Sequence, residues 1–232
     1  MQYWQDFLPP SDRPAPAVWS GFFDATMPDG TRLRLPLRDL GDAAVAGMIA
    51  NQASFPVLDR ISHWMAGQAR RFAPEVVVGL PTLGHVYGAT VARALGHANW
   101  VAPGTSRKLW YDAALSVPLV SITSPMAGRR MWLDPRLLPR LQGRRVLLVD
   151  DVISTGSSSL AGLALLRAAG VEPVALCVAM AQGNRWQAGW PDSVPVAAAF
   201  ATPLFARAGG DWVARAETAV QNCCPPIAPA TG

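Results

Sequence analysis

The chain is nearly without lysine. Lys and Arg together number 20 among its 232 residues, and Lys108 is the single lysine. Arginine-biased codon usage accounts for such a ratio, but it leaves Lys108 conspicuous. Charge as a whole is sparse, at 16% of residues, and the net charge of +4 is too mild to argue for a nucleic-acid partner. Basic residues come only in short pairs such as Arg70-Arg71, and no helix-turn-helix pattern is visible. Cysteine is scarce too. Cys177 sits in an apolar run and reads as core, while Cys223 and Cys224 have no partner at metal-ligand spacing. That excludes a disulfide framework and suits a reducing cytoplasm. His63, His85 and His97 are too scattered for a metal site. No apolar stretch is long enough to cross a bilayer: Val194 to Phe205 is short and broken by Pro195 and Pro203. The first residues, polar and aromatic, do not read as a signal peptide.

With half its residues hydrophobic, the chain is long enough to bury a substantial core. Residues 1–16, rich in proline, read as an extended arm. Val18 to Ala25 and Thr31 to Leu37 flank Met27-Pro28-Asp29-Gly30, which predicts a hairpin. Asp42 to Asn51 and Pro56 to Arg71 show helical spacing; in the second, Leu58, Ile61, Met65 and Ala69 share a face, and Ala73-Pro74 ends it. Glu75 to Leu80 is a short apolar run of the kind buried on both faces of a parallel sheet. A helix from His85 to Leu95, a strand from Asn99 to Ala102 and a loop from Gly104 to Ser116 follow. Val117 to Thr123 and Arg129 to Leu133 can pair around Ser124–Gly128. A strand at Arg144 to Val149, a helix at Ser157 to Ala169 stopped by Gly170, and a strand at Val171 to Met180 complete an alternation that predicts a mainly parallel sheet. Residues 222–232 read as a loose tail. The expected organisation is an arm, hairpin and helices over 1–73, a core over 74–182, and a terminal segment over 183–232.

The densest signal is Val146-Leu147-Leu148-Val149-Asp150-Asp151-Val152-Ile153-Ser154-Thr155-Gly156-Ser157-Ser158-Ser159. Four apolar residues bring the chain to the carboxyl edge of the sheet, where open α/β sheets bind ligands. Two carboxylates can accept hydrogen bonds from a vicinal diol. The hydroxyl-rich turn then offers backbone N–H groups and a helix start to a phosphate. Gly156 lets backbone approach a ligand with no Cβ between them. The plainer alternative makes Ser157 or Ser158 an ordinary N-cap and the two acids solvated turn residues. No Gly-Lys-Ser/Thr follows, so a Walker A loop is a poor match.

This stretch resembles the phosphoribosyl pyrophosphate motif of the type I phosphoribosyltransferase family. The resemblance implies an α/β fold with a mainly parallel central sheet flanked by helices and a small variable hood. It also implies Mg²⁺-dependent transfer of 5-phosphoribosyl to a nitrogenous base, purine-like by preference, with release of pyrophosphate, in a cytoplasmic homodimer. Asp150 and Asp151 would hold the ribose diol, either one meeting Mg²⁺ through water. Ser154, Thr155, Gly156, Ser157 and Ser158 would cradle the 5′-phosphate. Pro81-Thr82-Leu83-Gly84, directly after the first core strand, would be the pyrophosphate loop, with a strained or cis bond expected at Thr82–Leu83. Arg107-Lys108 would open a mobile loop whose cation meets charge growing on pyrophosphate; a solvated pair is the alternative. The Ser-Tyr and Glu-Tyr pairs of the adenine-specific branch are absent from that loop, where Trp110-Tyr111-Asp112 stand instead. Residues 17–56 and 183–215 are the hood candidates, with Asn51 to Phe55, Trp186 and Trp190 offering amides and flat faces. A regulatory protein sensing phosphoribosyl pyrophosphate or a nucleotide in the same pocket is the alternative function. Neither nucleic acid nor membrane is an expected partner.

Overall fold

The computed structural model describes residues 2–119, 129–220 and Cys223. At its centre is a four-stranded parallel sheet. β5 (Val76–Gly79), β8 (Val146–Ile153), β9 (Ala175–Gln182) and β10 (Val196–Thr202) lie in the order β10-β9-β8-β5. Burial on both faces explains the unbroken apolar runs. Val77, Leu147, Val149, Cys177 and Ala179 pack on one side with helices α1 (Phe55–Ala69) and α2 (Gly84–Ala94). Val78, Leu148, Leu176 and Val178 pack on the other with α4 (Ser157–Ala168). Adjacent residues thus face opposite ways, as the two-residue period of a strand requires. The Cys177 thiol, fully enclosed, is pushed up to about 12 by burial and has the inert character of a core residue.

Local chemistry starts and stops the helices. Ser54 Oγ accepts from the Val57 N–H at 3.4 Å, and Pro56 stands in the first turn of α1. Leu58, Ile61, Met65 and Ala69 form its buried face. Ala73, at φ +47°, ends the 3-10 turn that follows.

A second, six-stranded sheet is antiparallel and draws on both ends of the chain. β1 (Phe7–Leu8), β2 (Phe22–Thr26), β3 (Arg32–Asp39) and β4 (Ala43–Ala46) come from the beginning, and β11 (Leu204–Ala208) and β12 (Asp211–Arg215) from the end. β4 joins the two groups, pairing Val45 with Arg38 on one side and Leu204 on the other. The predicted hairpin is β2–β3: Thr26 pairs with Arg32, Gly30 takes φ +83°, and Asp29 Oδ1 accepts from the Thr31 backbone N–H.

Three expectations fail. Asp42 to Asn51 is no helix but β4 followed by a 3-10 turn at Ala50–Gln52. Its alanines favour a helix, but strands on both sides claim its backbone, so tertiary pairing overrides both propensity and spacing. The strand at Asn99 to Ala102 shrinks to one bridge, Val101 to Val78. The tail is not loose throughout: Cys223 is 4% exposed and its carbonyl accepts from the Ala198 N–H. Cys224 lies outside the described residues. So do the expected turn at Ser124–Gly128 and residues 120–123 of the strand expected before it; the described flanks pair as β6 (Ser116–Pro118) and β7 (Arg130–Trp132).

Candidate functional site

β8 continues beyond its apolar run, so both acids belong to the strand itself. Asp150 is 4% exposed. Its Oδ2 accepts from Ser159 Oγ at 3.3 Å, and its Oδ1 from the Asp151 backbone N–H at 3.0 Å. Burial, then the neighbouring charge of Asp151, holds the Asp150 carboxyl well above the usual carboxylate range. Asp151 is raised as well by burial, but hydrogen bonding from Asp150 and from backbone opposes that rise. Asp150 is therefore the more reluctant of the pair to ionise. Behind Asp151 lies Tyr87, fully buried, its hydroxyl without a hydrogen-bond partner among the described residues.

The turn after β8 leads into α4 through Gly156, which is the N-cap at φ +86°. No side chain caps this helix, so neither Ser157 nor Ser158 serves as an ordinary cap. The first-turn N–H groups are left for another acceptor, and the helix dipole favours an anion there. Thr155 Oγ1 and Ser157 Oγ stand 3.2 Å apart at the rim, and Ser154 Oγ accepts from Arg185 at 3.1 Å.

Pro81-Thr82-Leu83 forms the turn between β5 and α2. A non-proline cis peptide is present, but at Pro81–Thr82, one bond earlier than expected. Gly84 presses on the acids: a Cβ there would stand 2.8 Å from Asp150 Oδ1 and 3.0 Å from Asp150 Cα. The turn, the acid pair and the start of α4 thus converge on one edge of the sheet.

A cleft of about 550 Å³ opens between this edge and the antiparallel sheet. Asp151, Ser154, Thr155, Ser157, Ser158 and Leu83 line one end, and Arg38, Leu40, Val45 to Ile49, Met180, Gln182 and Arg185 line the rest. Sequence reasoning named the first group. It singled out none of the second by residue: Arg38, Leu40, Val45 to Ile49 and Arg185 fall within the hood candidates 17–56 and 183–215, while Met180 and Gln182 were missed. The aromatic candidates do not contribute: Trp186 and Trp190 are core residues whose Nε1 atoms donate to the Gly183 and Val194 carbonyls. Asn51 to Phe55 do not line the cleft, and Ser54 is the cap of α1.

Arg107 and Lys108 are also elsewhere. They are exposed and line a separate hollow with Leu109 and Trp110. The segment is tied to β7 by reciprocal backbone bonds between Gly104 and Trp132, and Trp110 Nε1 donates to Asp134 Oδ2 at 3.1 Å. Among the described residues no group of His, Cys, Asp and Glu forms a ready metal cage, and no helix is long and apolar enough to cross a membrane.

The chain is similar to known proteins in sequence and in fold. An adenine phosphoribosyltransferase from Novosphingobium aromaticivorans is 33% identical over 117 residues, 49% of this chain and 57% of its own length. One from Frankia casuarinae is 30% identical over 160 residues, 64% of this chain and 78% of its own. Among solved structures, the adenine phosphoribosyltransferase of Leishmania tarentolae aligns with a TM-score of 0.51 at 17% identity, covering 86% of this chain and 83% of that one. The Giardia lamblia enzyme complexed with 9-deazaadenine aligns with a TM-score of 0.51 at 20% identity, covering 63% and 80%. These likenesses carry the fold, which is that of the type I phosphoribosyltransferases. Residues 47–190, well over half the chain, match the phosphoribosyl transferase domain, and the chain belongs to that family.

Proposed function

We propose that this phosphoribosyltransferase takes phosphoribosyl pyrophosphate as donor and a purine-like base as acceptor. One observation carries the reading: an uncapped helix start and the carboxyl group of Asp151 open side by side into one end of a cleft whose other end is mainly apolar. The first end suits a sugar phosphate and the second a flat base.

In this reading the first-turn N–H groups of α4, with Thr155 and Ser157, hold the 5′-phosphate. Asp151 accepts from the ribose hydroxyls, and Asp150 fixes its neighbour by accepting from the Asp151 backbone N–H. The turn Pro81–Gly84 receives the pyrophosphate on backbone N–H groups. The bond from the anomeric carbon to the pyrophosphate oxygen breaks, its electron pair leaving with pyrophosphate. A ring nitrogen of the base attacks from the opposite face with its lone pair, inverting the carbon, and then loses its proton to water. The protein's part is to position the reactants and neutralise charge.

The residues suit Mg²⁺ that arrives with the donor, since Asp151, a hard oxygen ligand, lines the cleft and a dedicated cage is not needed. When bound, the ion neutralises diphosphate charge. The antiparallel sheet serves as the hood. The buried thiol of Cys177 suits the cytoplasm, and the wholly exposed Leu109 with half-exposed Trp110 suits pairing with a second copy.

The test is the melting temperature with donor and Mg²⁺, which rises if the folded state binds them. Replacing both Asp150 and Asp151 by Asn abolishes the rise; an unchanged rise sinks the assignment. A screen of bases for pyrophosphate release follows. The placement of Lys108 outside the cleft favours one second reading, a sensor that binds the donor without turnover. Tight donor binding with no turnover on any base would select it.

A further inference from the structure

Gln182 ends β9 one position past Ala181, which pairs with Ile153, the last residue of β8. It is therefore at the carboxyl edge of the sheet, on the side away from the phosphate turn. Its side chain is 6% exposed, an uncommon setting for an amide. The Nε2 atom donates to the Ala46 carbonyl of β4 at 2.6 Å, tying the central sheet to the antiparallel one. That bond also fixes the orientation of the amide: a flip would set Oε1 against a carbonyl oxygen. Gln182 lines the cleft, and its Oε1 has no protein partner among the described residues. Met180, two residues earlier, lines the same wall.

Oε1 is thus a fixed acceptor held at the base end of the cleft. The charged side chain on that stretch, Arg38, can only donate. A ligand edge offering nothing but lone pairs would leave Oε1 desolvated and unpaired, whereas an N–H at that edge would satisfy it. We infer that Gln182 is a specificity-determining residue for the acceptor, selecting a base that presents an N–H donor at that edge. The inference rests on the reading of the cleft as a phosphoribosyl-transfer site, and it goes further by naming the chemical feature of the base and the atom that reads it.

The experiment compares 6-aminopurine with unsubstituted purine, which lacks only the amine, in the wild type and in Gln182→Leu and Gln182→Met. The wild type should favour 6-aminopurine in kcat/KM by about tenfold to a hundredfold, the range for a lost partner to a buried polar group. In the variants the ratio should fall toward one, mainly through loss with 6-aminopurine, while donor binding by calorimetry stays within about threefold of wild type. Equal wild-type use of the two bases overturns the inference with no variant needed, so it stays testable even if neither variant folds. An undiminished ratio in a folded variant overturns it as well. So does a matching loss of donor binding, which would make Gln182 a strut between the sheets. Absence of donor binding in the wild type is a different failure, that of the proposed function itself.

Discussion

Gly84 and Asp150 share a contact that admits no side chain at position 84. A Cβ there would meet Asp150 Oδ1 at 2.8 Å, and Asp150 Cα and the Val149 carbonyl oxygen each at 3.0 Å. Two of these atoms are backbone of the central strand and cannot retreat. Gly84→Ala must push the start of α2 outward, and the Pro81–Leu83 turn moves with it. Overpacking of this kind costs about 1–3 kcal/mol, and at this chain length each kcal/mol lowers Tm by about 2–4 °C. Donor binding should weaken beyond what the loss of stability explains. Gly210→Ala is the control, since nothing lies within 4 Å of the added atom; it should change stability by no more than about 0.5 kcal/mol. Calorimetry and thermal melts on both variants decide the matter.

Asp150 sets function against stability. Burial, and then the charge of Asp151, raise its carboxyl well above the usual range. A carboxyl raised in the folded state gives its full stability only below the unfolded value of about 3.9, and that stability is lost as pH rises through the folded value. Asp150→Asn removes the titration and should melt higher than wild type at pH 7. The gap should close as pH falls toward 4. The same variant should bind the donor more weakly. A Tm difference that does not depend on pH would show that Asp150 is ionised in the fold.

The phosphate end separates side-chain effects from backbone effects. Thr155 is half-buried at the rim, so Thr155→Val keeps shape and packing and should leave Tm within about 0.5 kcal/mol of wild type. If its hydroxyl meets a charged phosphate, donor binding weakens by about 1–3 kcal/mol. Gly156 is different, because φ +86° strains any side chain by about 1–2 kcal/mol and Trp186 Cβ stands 3.4 Å from an added Cβ. Gly156→Val should lower Tm and donor affinity together. Wild-type affinity in both variants would place the phosphate elsewhere.

What could be read in the sequence follows from where each signal is stored. The parallel sheet was legible because Val146–Val149 and Ala175–Met180 are buried on both faces and must be apolar throughout. The phosphate turn was legible because Asp150, Asp151 and the run from Ser154 to Ser159 are contiguous. The base end was not. Gln182 and Ala46 are 136 positions apart and meet only because β4 joins strands from opposite ends of the chain. Nothing near Gln182 marks it: a glutamine at the end of an apolar run resembles a strand meeting solvent. Ala43 to Ala46 misled for the same reason, since its strand conformation is dictated by distant partners rather than by its own residues.

Lys108 is where sequence expectation and geometry stand furthest apart, so it discriminates best between catalysis and sensing. The structure holds it outside the cleft, on a segment fastened at Gly104 to Trp132 and at Trp110 to Asp134. If it assists departure of pyrophosphate, that segment must move, or a second copy must supply the residue. In either case the cation acts on charge that grows during the reaction, so its contact strengthens in the transition state. Lys108→Ala should then lower kcat by about a hundredfold, as losses of other charge-stabilising groups do, while the donor Kd changes by less than about threefold. Lys108→Arg should recover part of the rate, because a planar fork reproduces the charge but not the compact ammonium. Steady-state rates with an accepted base, set beside calorimetric donor binding, separate the outcomes. Equal losses in binding and turnover would make Lys108 a ground-state anchor. An unchanged kcat would leave it as a solvated residue on a tethered turn, where the structure has it.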